Sequence, residues 1–269
     1  MTLIDSHAHL TDESLVGQLD EVMARCAEAG VEHVITVCTD GADIDQGLAV
    51  AQRFPGRVSV CAGLHPHHAD GVTPADLETL RRHLDFGRVV AVGEMGLDYH
   101  YDFADPGRQR DVFASQLQIA AGFDLPVVIH CREALADCVP VLLDGGMAGR
   151  RVVFHCFTGT AEEAAQVAEH GWRISFTGVV TFKSSGALQE IARTYPADRL
   201  MVETDSPYLS PVPVRGRRPN EPAHVAHVAR FLAELRGVEY ESLCRDTWEN
   251  TREFFRLPGS ETRCEPAKG

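Results

Sequence analysis

Asp5-Ser6-His7-Ala8-His9 puts two imidazoles two residues apart inside an apolar, strand-like segment. In a strand such residues share a face, so His7 and His9 can reach one metal ion together. An HxH pair alone is weak evidence, but ligand-type residues recur where other strand-like runs stop. Glu94 ends Val-Val-Ala-Val-Gly-Glu, His130 ends Pro-Val-Val-Ile-His, His155 ends Val-Val-Phe-His and Asp205 ends Met-Val-Glu-Thr-Asp. Imidazole and carboxylate together suit Zn, Mn, Fe or a similar divalent ion rather than calcium. No cysteine holds a matching position, which disfavours a closed structural zinc site.

Six such residues are too many for one catalytic ion with an open position, and suit two. The expected arrangement has His7, His9, Glu94 and Asp205 on one divalent ion, with Glu94 bridging to a second held by His130 and His155. Two ions about 3.5–4 Å apart activate a shared water and steady both the attacking and the leaving oxygen. Glu94 and Asp205 are therefore the candidate catalytic residues, Asp205 orienting the water or accepting its proton.

The elements that must position this set are eight β-branched, apolar runs, each feeding a helical pattern: Leu3–His9, His33–Thr39, Val58–Leu64, Val89–Glu94, Pro126–His130, Val152–Phe157, Trp172–Gly178 and Leu200–Asp205. Leu15, Leu19, Val22, Met23 and Cys26 make one helical stripe, stopped by Gly30, and Thr73-Pro74 is a helix-opening cap. Eight strand–helix units favour a parallel sheet closed into an α/β TIM (β/α)8 barrel, whose strand ends converge on one rim. No GxGxxG follows the first strand, against a dinucleotide-binding sheet. One domain over residues 1–257 is expected, with a disordered tail over 258–269. Long connections around His65–Pro74, Gly96–Pro106 and Ser206–Pro222 are the candidate active-site loops.

Composition narrows the function. No apolar run approaches the roughly 20 residues of a membrane span, and no signal-peptide pattern is visible at the N-terminus. The eight cysteines form no CxxC pair and read as reduced, packed thiols, pointing to the cytoplasm. A net charge of −14 excludes a broad basic face for coating nucleic acid, so any phosphate must be gripped locally by metal and a few arginines. Arg132, two residues past His130, is placed to clamp a phosphate. Arg215, Arg217 and Arg218 form the dense basic cluster, and Tyr99, Tyr101 and Tyr208 lie on rim loops where rings can stack on bases.

The ordered motifs DSHAHL (Asp5–Leu10), AGLHPHHA (Ala62–Ala69), VGEMGLDY (Val92–Tyr99), IHCRE (Ile129–Glu133), FHCFTG (Phe154–Gly159), SFTGVVTFK (Ser175–Lys183), VETDSPYLSPVPVRG (Val202–Gly216) and NEPAHV (Asn220–Val225) resemble the TatD family of metal-dependent deoxyribonucleases. The resemblance runs from about Leu3 to Phe255. It implies a metallo-hydrolase TIM barrel that trims single-stranded DNA 3′→5′, with metal positions on the same six residues. It also matches His65 to an active-site histidine that contacts substrate, and Arg132 and Arg215 are assigned to substrate binding beside it. Glu203, two residues before Asp205, faces the same interior and is expected to support the cluster from behind.

Two other readings are open. One is an amidohydrolase or lactonase acting on a small ester or amide; such barrels often bridge their ions with a carboxylated lysine, and no strand-end lysine is present here. The other is a lapsed, inactive binding protein, against which the full set of six candidate ligands argues. Two divalent ions (Mg, Mn or Zn) and a DNA substrate are thus expected, with no membrane and no obligate protein partner.

Overall fold

The computed structural model describes residues 2–84 and 89–257. Eight strands lie parallel in sequence order: β1 Leu3–Ala8, β2 Val31–Cys38, β3 Val58–Ala62, β4 Val89–Asp98, β5 Val127–Arg132, β6 Val152–Phe154, β7 Arg173–Phe176 and β8 Leu200–Val202. The helices are α1 Glu13–Val16, α2 Leu19–Glu28, α3 Gly41–Arg53, α4 Pro74–His83, α5 Pro106–Phe123, α6 Leu135–Asp144, α7 Ala161–Glu169, α8 Gly186–Thr194, α9 Val225–Arg236 and α10 Tyr240–Phe255. This is the expected TIM barrel. The proposed tail lies outside the described residues.

Local sequence explains the helix boundaries. Thr73 and Asp76 form a reciprocal capping box with Pro74 in the first turn of α4, and Thr160 and Glu163 do the same for α7. The single stripe from Leu15 to Cys26 is in fact split, with α1 ending at Val16 and α2 starting at Leu19. Leu15, Leu19, Val22, Met23 and Cys26 are nevertheless all buried.

Two apolar layers hold the barrel. Strand residues such as Leu3, Val34, Val60, Val127 and Ile174 pack outward against the helices. Ile4, Ile35, Val37, Cys61, Ala91, Val128, Val153 and Met201 fill the interior, which Phe254, Phe255 and Leu257 at the end of α10 stopper. The seam between β1 and β8 carries little ladder. It is joined by Ala8 and Ser206, by Asp205 N–H donating to His7 C=O at 2.9 Å, and by the buried Asp5 carboxylate. Asp5 accepts from the Thr204 N–H at 2.8 Å and the Thr204 hydroxyl at 2.5 Å.

Candidate metal centre

The interior apolar layer points directly at the site through the period of two. Stepping by two along each chain from Val128 gives His130 and Arg132; from Val153, His155; from Met201, Glu203 and Asp205; from Cys61, Gly63 and His65. In β1 a register irregularity between Asp5 and Ala8 lets His7 turn inward above Ile4. In β4 a second irregularity, between Val92 and Met95, does the same for Glu94. Glu94 is thus inside β4, not at its end. Glycine makes the detour practicable: a Cβ on Gly96 (φ +139°) would sit 2.0 Å from the His130 carbonyl oxygen.

The structure brings the other five expected residues together around Glu94, whose two oxygens divide them. Oε1 lies 2.6 Å from His155 Nε2 and 2.8 Å from His130 Nδ1. Oε2 lies 3.4 Å from His7 Nε2 and 4.0 Å from His9 Nε2. On this second side Asp205 Oδ1 stands 3.8 Å from His7 Nε2 and 3.5 Å from His9 Nε2. Burial pushes the Glu94 carboxyl up, but the imidazoles of His155, His65 and His130 outweigh it and hold the group well below the usual carboxylate range. Asp205 is also held low, by His9 and His7 against burial. Its backbone is in the left-handed region (φ +53°), which Asp tolerates better than most residues.

The donor set fits divalent cations. His7, His9 and Glu94 offer ligand atoms in one cluster, and Glu94, His130 and His155 in another. Among the described residues neither ring nitrogen of the fully buried His7 has a hydrogen-bond partner. Burial also holds His7 below its ordinary pKa, leaving a neutral ring with a lone pair to give. Outer partners orient the other rings. His9 Nδ1 meets the Val37 carbonyl at 3.2 Å, which requires the proton on Nδ1 and frees Nε2 toward the cluster. His155 Nδ1 faces Glu203 Oε1 at 3.4 Å. Glu203 is itself fixed by the Cys156 N–H at 2.7 Å and the Ser175 hydroxyl at 2.6 Å.

Asp98 and His67, which meet on this rim, are not singled out by the sequence. Asp98, at the true end of β4, accepts from His130 Nε2 and from His67 Nε2, both at 2.8 Å on Oδ2. Its other oxygen takes the N–H groups of His100 and Tyr101 at 2.9 and 3.0 Å. His130 therefore keeps a proton on Nε2, while Nδ1, which donates to Glu94 Oε1 at 2.8 Å, is the nitrogen that would exchange its proton for an ion. The usable signal was Leu97-Asp98 ending an apolar run four residues later than assumed.

The substrate-side expectations fare unevenly. His65 lines the cavity with Nε2 3.3 Å from Glu94 Oε1, while its Nδ1 accepts the His67 N–H at 3.1 Å. Any proton on this ring therefore faces Glu94. Arg132 lines the same cavity of about 1030 Å³, over the Tyr101 ring at 4.9 Å. Glu133 and Asp137, the carboxylates nearest it in sequence, pair with His100 and Arg110 instead. Arg215 lies over the Phe182 ring at 3.9 Å and is not among the cavity-lining residues. Tyr208 lines the cavity, whereas the Tyr99 hydroxyl is engaged with Asp137 and Arg110.

A parallel eight-stranded barrel with this His/Glu/Asp cluster at its rim defines the class of metal-dependent TIM-barrel hydrolases. The chain belongs to the TatD-related DNase family, whose model matches residues 4–256. It is 39% identical over 264 residues to the metal-dependent hydrolase YcfH of Escherichia coli K12, covering 97% of this chain and 98% of that one. It is 37% identical over 260 residues to the 3′-5′ ssDNA/RNA exonuclease TatD of Erwinia billingiae, covering 95% and 100%. Among solved structures, the TatD homologue YJJV of E. coli K12 superposes with a TM-score of 0.90 at 29% identity, covering 95% and 98%. The protein is a metal-dependent hydrolase.

Proposed function

We propose that this hydrolase cleaves phosphodiester bonds at the 3′ ends of single-stranded DNA, using two divalent ions shared through Glu94. The observation that carries the reading is the division of the Glu94 oxygens, one toward His7 and His9 and the other toward His130 and His155. His7, His9, Glu94 and Asp205 would hold the first ion, and Glu94, His130 and His155 the second, completed by substrate. Mg, Mn or Zn bound here would supply Lewis-acid polarisation and a nucleophilic water at neutral pH.

The chain's own residues do the remaining work. Asp205, ionised and held at the seam by His7, takes the proton as water oxygen bonds phosphorus and the ester P–O bond breaks. Arg132 grips a non-bridging phosphate oxygen from the rim, and the His65 ring meets the same phosphate beside Glu94. That the Erwinia relative is a 3′-5′ ssDNA/RNA exonuclease supports a single-stranded nucleic-acid substrate and the 3′→5′ direction. A single catalytic unit over residues 1–257 needs no protein partner for this chemistry. Seven described cysteines are free thiols, as in a reducing cytoplasm, and no helix among the described residues is long and apolar enough to cross a membrane.

The test is hydrolysis of 3′- and 5′-labelled single-stranded DNA by chelator-stripped protein re-supplied with Mg, Mn or Zn, with lactones and amides assayed alongside. Metal-restored shortening from the 3′ end is expected. Turnover of a lactone or amide with intact DNA would overturn the assignment.

A further inference from the structure

The rim carries an aromatic ledge that the metal chemistry does not use. Phe103 is 60% exposed, the most exposed of the large apolar side chains among the described residues, and Tyr101 is 42% exposed. Their rings stack at 5.2 Å between centroids with 23° between planes. His67 abuts both, at 4.7 Å from Phe103 and 5.6 Å from Tyr101. The same His67 lies 5.7 Å from His130, so the ledge is one imidazole away from the candidate metal centre. The ledge is held firmly: Asp98 accepts the Tyr101 N–H, and through its other oxygen it binds both His67 and His130.

We infer that Tyr101 and Phe103 form a subsite that stacks an unpaired nucleobase of the substrate while the adjoining phosphate sits at the metal centre. This rests on the phosphodiesterase reading above and deepens it. Three observations favour a base over another occupant. Arg132, assigned to the phosphate, lies over the Tyr101 ring, so phosphate grip and base platform adjoin. The net charge of −14 denies the protein a broad electrostatic hold on a nucleic-acid strand, and stacking on an aromatic face needs no such charge. A base inside a duplex has no free face to offer, so the ledge selects single strands. Tyr208, on the loop after β8 and across the barrel from β4, lines the opposite side of the cavity at 6.2 Å from His9.

The test compares oligonucleotides that differ only in carrying an abasic residue at one or another of the terminal nucleotides. With metal-loaded wild type, removing the base that meets the ledge should raise KM by roughly 5- to 150-fold, the range of base–aromatic stacking. In the Tyr101→Leu/Phe103→Leu double variant that discrimination should vanish, whereas Phe103→Tyr, which keeps the ring, should retain it. Both side chains are largely outside the core, so a melting curve on each variant checks that the fold is intact. Cleavage by wild type with no discrimination at any position, or discrimination that survives in the double variant, overturns the ledge alone. A concentration-dependent dimer lost in that variant, with discrimination unchanged, would give the ledge to a second copy of the chain and also overturn it. If wild type cleaves none of the oligonucleotides with any metal, the nuclease reading falls and the subsite falls with it.

Discussion

Replacing Glu203 by Gln changes charge and little else, and so isolates what lies behind the metal centre. The buried side chain accepts the Cys156 N–H on Oε1 and the Ser175 hydroxyl on Oε2, and Oε1 stands 3.4 Å from His155 Nδ1. A glutamine can keep its carbonyl on the Cys156 N–H and point its amide at Ser175, whose hydroxyl can accept as well as donate. The metal-free protein should therefore lose only about 0.5–1.5 kcal/mol, one net hydrogen bond. His155, however, loses the negative partner that raises its basicity. Such losses typically cost about 10–100-fold in metal affinity, or roughly 1.4–2.7 kcal/mol of metal-linked stability at saturating ion. At about 2–4 °C per kcal/mol for a domain near this size, the metal-induced rise in Tm should shrink by roughly 3–11 °C. Differential scanning calorimetry of chelator-stripped and Zn- or Mn-loaded protein measures it. An undiminished metal-induced rise in the Glu203→Gln protein would refute the idea that Glu203 tunes His155.

Other residues give equally direct expectations. Asp98→Asn should present an amide to His130 Nε2, move the imidazole proton to Nδ1 and cut kcat/KM by about 10–100-fold; metal titrations matching wild type would exclude this. Gly96→Ala should destabilise the fold by at least about 2 kcal/mol, because its Cβ meets the His130 carbonyl, whereas Gly122→Ala, with open space around it, should be neutral or slightly stabilising; urea unfolding separates the two. His33 is held below its ordinary pKa by burial, with its ring nitrogens on the Gly56 carbonyl and the Ser59 hydroxyl. The unfolded chain therefore binds this proton more readily, so His33 contributes stability above about pH 6.5 that is lost as pH falls. His33→Gln should lose less Tm than wild type between about pH 7.5 and 5.5, and an equal loss would remove His33 from the account.

The barrel was legible because each strand is a short β-branched run, and because stepping by two from buried residues such as Val128 and Met201 lands on His130 and Asp205. What escaped notice was irregular backbone. Gly93 and Gly96 interrupt the apolar period of β4 and made Glu94 look terminal, although the strand continues to Asp98. Asp98 lies beyond that interruption, and only the continued strand brings it beside His130 and His67. Gly17 likewise split a helix whose apolar stripe reads straight through it, since periodicity records faces and is blind to breaks. Arg215 was placed at the substrate from its loop alone, but it packs on Phe182 outside the cavity lining. Phe103 carries no chemical signal in the sequence. Only its exposure and its stack with Tyr101 single it out.

The shared-ion centre is tested most directly by counting metal. Equilibrium dialysis of the chelator-stripped chain against Mn or Zn, followed by elemental analysis, should find two ions per wild-type chain and one in His130→Ala. One ion in both proteins, or two in both, would contradict a second site built on His130 and bridged by Glu94.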